Sequence, residues 1–145
     1  MRKLTIKRIK SIVGSLGTLK VYVEDPDSST KIKDIPVRIL GIVHNGSEMT
    51  FVIPNEQVRI VAIMESLSKN FCYDIYTVPQ GDEDVTLQGK NVADPMLGNP
   101  FRFDNNEYQM PAKEKKKYRI LYLLAILVCT GIGAAIGYLI VHFLF

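Results

Sequence analysis

The residues able to do chemistry are few and scattered. Two histidines occur, His44 and His142, and only His44 lies before the charge-free C-terminal run, so a His-rich metal site cannot be built there. His44 runs into Asn45-Gly46-Ser47, which is turn chemistry, so it reads as a surface residue and not as a general base. Cys72 has no neighbouring histidine and stands among Phe71, Tyr73 and Tyr76, the setting of a buried, unreactive thiol. Asp82-Glu83-Asp84 is a run of carboxylates, but a Ca²⁺ loop needs alternating ligands, and adjacent side chains in a turn point in different directions. Gly89-Lys90 lacks both the upstream glycine spacing and the following Ser/Thr of a phosphate-binding loop. No nucleophile-base pair emerges, so the chain reads as a non-enzyme without cofactor or metal. A membrane-tethered hydrolase working through carboxylates is the weaker alternative.

Three groups of residues suit binding better than catalysis. The stretch from Lys90 to Pro100 is a long loop with apolar residues and two prolines, and loops of that length pack or bind something. Met96, Leu97, Asn99 and Arg102 are its candidate partner contacts. Lys113, Lys115, Lys116, Lys117 and Arg119 form a cation cluster, each able to gain about 1 kcal/mol beside anionic lipid headgroups. Cys129, Gly133 and Gly137 recur every four residues, a small-residue stripe that lets two membrane helices approach closely, whether from a second copy or from another membrane protein.

The element that carries the last two groups is the run Ile120 to Phe145, which holds no Lys, Arg, Asp or Glu. At about 1.5 Å per residue a helix of this length reaches roughly 39 Å, enough to cross a hydrocarbon core of about 30 Å with some tilt. The basic flank places the N-terminal part in the cytosol and Phe145 at the opposite face. With no apolar segment behind Met1-Arg2-Lys3, no secretory signal is expected, and the chain reads as a tail-anchored single-pass membrane protein. All 18 basic and 15 acidic residues precede the run, and residues 1–112 are nearly neutral, so the net charge of +3 comes from the juxtamembrane cluster. A nucleic-acid surface is not indicated. Cys72 and Cys129 fall in different parts and cannot pair within one chain, consistent with a reduced compartment.

Residues 1–103 read as one cytosolic β domain, 104–119 as a polar and basic linker, and 120–145 as the transmembrane helix. Leu4–Lys10 and Leu19–Glu24 alternate apolar with polar residues, the period of a half-buried strand. Further strands are expected at Val37–Val43, Met49–Ile53, Val58–Met64, Phe71–Val78, Val85–Gln88 and Phe101–Phe103. Asn45-Gly46 between apolar runs predicts a hairpin joining the third and fourth of these. Val58–Met64 hardly alternates, as a strand covered on both faces would, and Met64–Lys69 suits a helical turn. The fold class is therefore all-β, an antiparallel sandwich of seven or eight strands followed by a single membrane helix.

Leu4-Thr5-Ile6-Lys7-Arg8, then Lys20-Val21-Tyr22-Val23-Glu24-Asp25, then Asn45-Gly46-Ser47 through Pro54 resemble the pattern of small bacterial PEGA-like β-sandwich modules over residues 3–64. The resemblance implies a fold without a catalytic apparatus. The chain departs from it at Pro54-Asn55-Glu56, where such modules usually carry Pro-Gly with a small polar residue, and it continues well past their usual end. The expected function is that of an adaptor, regulatory or accessory module at a membrane, with an accessory subunit of a multi-span transporter or channel complex as the alternative.

Overall fold

A computed structural model describes residues 1–65, 73–94, 100–104, 106 and 112–144, and within the C-terminal helix side chains are described for most positions as far as 134. The chain forms two units, Met1–Gln109 and Met110–Phe145.

The first unit contains, among the described residues, strands β1 (Arg2–Arg8), β2 (Thr18–Glu24), β3 (Lys31–Ile32), β4 (Ile35–Val43), β5 (Glu48–Ile53), β6 (Val58–Glu65), β7 (Tyr73–Val78), β8 (Val85–Asn91) and β9 (Phe101–Phe103). They make a four-stranded sheet in the order β5-β1-β8-β9 and a five-stranded sheet in the order β3-β4-β2-β6-β7. Strict alternation decides which face is buried. Leu4 and Ile6 on β1 meet Leu19, Val21 and Val23 on β2, with Ile53, Ile60, Leu87 and Phe101 completing one shared core between the sheets. At β6, Ile60, Val61 and Ala62 are buried in succession, so both faces of that strand are covered, as its weak alternation predicts.

The all-β two-sheet architecture matches expectation, but its pairing corrects it in three places. The four-stranded sheet is mixed, not antiparallel, because β1 pairs in parallel with β8, Leu4 opposite Val85 and Ile6 opposite Leu87. Alternation along a strand says which face is buried and is silent on the direction of the neighbour. Secondly, Asn45-Gly46 does not close a hairpin. It carries the chain from β4 in one sheet to β5 in the other. Only Gly46 of the two central residues takes positive φ, at 77°, which is the type II sign pattern and lacks the twist that a two-residue hairpin needs. Ser47 O then accepts from Arg8 N at 2.9 Å, committing β5 to β1. Thirdly, a short strand, β3, is added. Its turn to β4 has positive φ at both Lys33 (51°) and Asp34 (66°), the type I′ pattern, at residues with no glycine to announce it.

β8 also runs on to Asn91, which shortens the expected 90–100 loop from its start. Gly89 permits this. A Cβ there would sit 2.4 Å from Arg102 O and 2.5 Å from Phe101 Cζ, so the β8–β9 pair closes only over a residue without a side chain. Cys72 and most of the suggested helical turn after Met64 lie outside the described residues, and Met64 itself continues β6.

The second unit is helix α1 (Ala112–Leu144), 33 residues long, roughly 50 Å at the standard rise. Lys113 to Arg119, read from sequence as part of a linker, are helical. Among the described residues no helix is long and apolar enough to cross a membrane. The charge-free sequence continues past Ala134, the last position of α1 whose side chain is described.

Candidate functional site

Three constellations of polar side chains organise the β unit, and none was singled out by sequence spacing. The first is built on Arg8, the last residue of β1, which alternation turns inward. Its side chain is 1% exposed. Nε donates to Asn91 Oδ1 (3.2 Å), Nη1 to Gly17 O (3.0 Å) and Val43 O (3.2 Å), and Nη2 to Gly14 O (2.9 Å). All four acceptors are neutral, and burial pulls the guanidinium below its ordinary pKa. The fork thus ties the loop of residues 9–17 to the end of β4 and to β8. Asn45 grips the same loop from the other side, accepting from Ser11 N at 3.0 Å and donating to Ser11 O at 2.9 Å. Gly14, at φ 68°, lies so close to the Asn91 amide that a Cβ would come within 2.7 Å of its nitrogen. The Asn45 of the expected hairpin is therefore a clamp for a distant loop.

The second constellation lies near the end of β2. Arg59 on β6 donates through Nε to Glu24 Oε2 (2.9 Å) and through Nη2 to Glu24 Oε1, while Arg59 N also reaches Oε2 (3.2 Å). Arg59 holds the Glu24 carboxyl below its ordinary pKa. Above the pair opens a shallow groove of about 550 Å³, lined also by Pro26, Pro54, Glu56 and Thr77. It offers charge and a hydroxyl, but no histidine or thiol to activate anything.

The third is a clasp between the sheets. Asp74 on β7 is fully buried, its Oδ2 accepts from Phe103 N at 2.8 Å, and its Oδ1 lies 3.5 Å from Arg102 Nη1. Arg102 Nη1 donates to Tyr73 O at 2.7 Å. Burial pushes the Asp74 carboxyl above its ordinary range, against the opposing pull of the Phe103 amide, Asn106 and Arg102. Of the four candidate contacts in the 90–102 region, Arg102 is thus engaged within the domain, and Met96, Leu97 and Asn99 lie outside the described residues. The signal that could have found this clasp is the lone Asp inside the aromatic run Phe71-Cys72-Tyr73-Asp74-Ile75-Tyr76, which the sequence reading passed over.

On α1, Lys113, Lys116, Lys117 and Arg119 are exposed, and Lys115 is helical with its side chain outside the description. Cys129 and Gly133 are exposed, and a Cβ on Gly133 would meet nothing within 4 Å. Gly137 shares the same helix. His44 is exposed at the β4–β5 turn, as expected, and Asp84 Oδ1 accepts from Lys3 N at 2.8 Å, which fits a solvated turn with a structural tie. Among the described residues no group of three or more His, Cys, Asp or Glu is placed to hold a metal ion.

Fold and sites together define a two-sheet β domain whose buried polar groups brace loops and sheet edges, followed by a long, largely apolar helix. No family model matches this chain, and no curated protein matches it.

Proposed function

We propose that α1 anchors the β unit to a membrane and that the β unit, facing the cytosol, acts there as a non-enzymatic adaptor, regulatory or accessory module. The observation that carries this is the charge-free run Ile120–Phe145 behind five clustered cations. A helix apolar on all sides has to be enclosed by lipid or protein, and a single small β core is too little to enclose it. The cations favour the cytosolic face and would add attraction to anionic lipid. The exposed Cys129 and Gly133, in register with Gly137, suit close approach of a second membrane helix.

The non-enzymatic reading is supported by the engagement of Arg8, Arg59, Asp74 and Arg102 in internal bonds. The resemblance to PEGA-like modules points the same way. The test is extraction of membranes at alkaline pH combined with reporters fused before Met1 and after Phe145. The protein is expected in the pellet, with the first reporter active only in the cytosol and the second only across the membrane. Release into the alkaline supernatant would refute the anchor, and an N-terminal reporter active outside would refute the orientation.

A further inference from the structure

We infer that the loop of residues 9–17 is a lipid-inserting knuckle: Ile12 and Leu16 enter the interfacial layer of the bilayer that α1 occupies. The inference rests on the anchor reading and extends it to the β unit.

Ile12 is 94% exposed and Leu16 101%, the highest values among the large apolar residues described. Isolated exposed aliphatics are common on protein surfaces, but these two stand on a braced loop. Ser11 is held by both ends of the Asn45 amide, Gly14 O and Gly17 O by the buried Arg8 fork, and Gly14 against Asn91. Two further backbone bonds shape the tip, Ser15 N to Ile12 O at 3.3 Å and Gly17 N to Gly14 O at 3.0 Å. The loop therefore meets its target with little conformational entropy left to lose. Arg8 and Asn91 bury their polar ends beneath it while Ile12 and Leu16 are left to solvent.

A lipid surface fits this shape and charge. The two side chains project as knobs, which a deformable apolar layer accepts without a matching pocket. The first 23 residues hold six basic residues and no acidic one. Of those near the loop, Lys7 stands opposite Glu48 and Lys20 is paired with Glu65, while Lys10 is exposed at the loop's root with its stem over Gly46. An apolar tip above a lysine whose stem can lie along the boundary matches the layering of an anionic membrane interface. An anchored domain also meets that interface at high effective concentration, so two side chains suffice to hold it there.

The chain contains no tryptophan, so Ile12→Trp and Leu16→Trp each introduce a single tryptophan, excited selectively at wavelengths that the tyrosines do not absorb, at a site with room for it. The full chain carrying each change, and Val52→Trp on β5 as the comparison, is reconstituted into vesicles with and without phosphatidylserine, plain or with brominated acyl chains. Expected are co-flotation of all three proteins, blue-shifted emission from Trp at 12 and 16, and loss of that emission with brominated lipid, strongest with phosphatidylserine. Trp at 52 should stay red-shifted and unquenched. Flotation with red, unquenched emission at 12 and 16 would overturn the loop insertion and leave the anchor standing. A blue shift that brominated lipid does not quench would mean a protein contact, and would overturn insertion too. Failure to float would refute the anchor and the inference with it.

Discussion

Arg8 and Asp74 show two ways in which a charge is kept inside a small β core. Arg8 bonds only to neutral oxygens, so its removal would take a charged donor from Gly14 O, Gly17 O, Val43 O and Asn91 Oδ1 together, Gly14 O keeping its bond from Gly17 N. Arg8→Met should therefore lower the stability of residues 1–109 by about 3 kcal/mol in urea unfolding, because four charge-assisted bonds in or beside the core are lost at once. Arg8→Lys should fall between, since one ammonium has three donors and no planar fork. Asp74 makes a prediction in pH. Its carboxyl is pushed above the ordinary value of 3.8, so the folded state binds the proton more tightly than the unfolded chain. That contribution is present at pH below 3.8 and is lost as pH rises through the folded value. Wild type compared with Asp74→Asn should thus lose relative stability as pH rises across the carboxylate range and level off above it. Glu24 works in the opposite sense. Arg59 depresses its pKa, so its contribution is present above 4.5 and fades as pH falls, weakened by the partial exposure of the pair. Comparing wild type with Glu24→Gln over the same titration checks that the two slopes differ in sign.

At the scale of elements, backbone twist outranked residue preference. The type I′ hairpin occurs at Lys33-Asp34, where two residues with side chains adopt positive φ, and Lys33 Nζ lies 5.3 Å from the Tyr73 ring centre. Asp34→Gly should relieve the left-handed penalty and leave that contact in place, raising stability by about 1 kcal/mol, read as a higher urea midpoint. Gly89→Ala should do the reverse, since its Cβ would overlap the backbone of Arg102 and the ring of Phe101. A loss of about 2 kcal/mol or outright unfolding of β9 is expected, visible as early proton exchange at Phe101 and Phe103.

For the whole molecule, the proposed anchor makes association and insertion separately testable. Replacing Gly133 and Gly137 together by Ile should abolish helix–helix association, because close packing drives it in lipid, and should leave membrane insertion unchanged or stronger. A membrane-based association assay on residues 113–145, with Leu123→Ile as the control, reads the first effect, and alkaline extraction reads the second. Association that survives the double change would make the stripe an ordinary feature of an inert anchor and move the search for partners to the β unit.

What sequence alone determined is set by local periodicity and by composition. Alternating residues located the half-buried strands β1 and β2 to within a residue or two, because each buried face must repeat every second position. The charge-free run from Ile120 coincides with helix, because apolar side chains without β-sheet punctuation favour one continuous hydrogen-bonded element. Tertiary structure alone decided the partners. The parallel β1–β8 pair, the bonds of Arg8 to Val43 and Asn91 and the Asp74 clasp on Phe103 all join residues distant in the chain, and the passage of Asn45-Gly46 between sheets follows from the same pairings. Such contacts follow from which faces and edges meet when the sandwich closes, and a pattern with a period of two residues holds no information about a neighbour some eighty residues away.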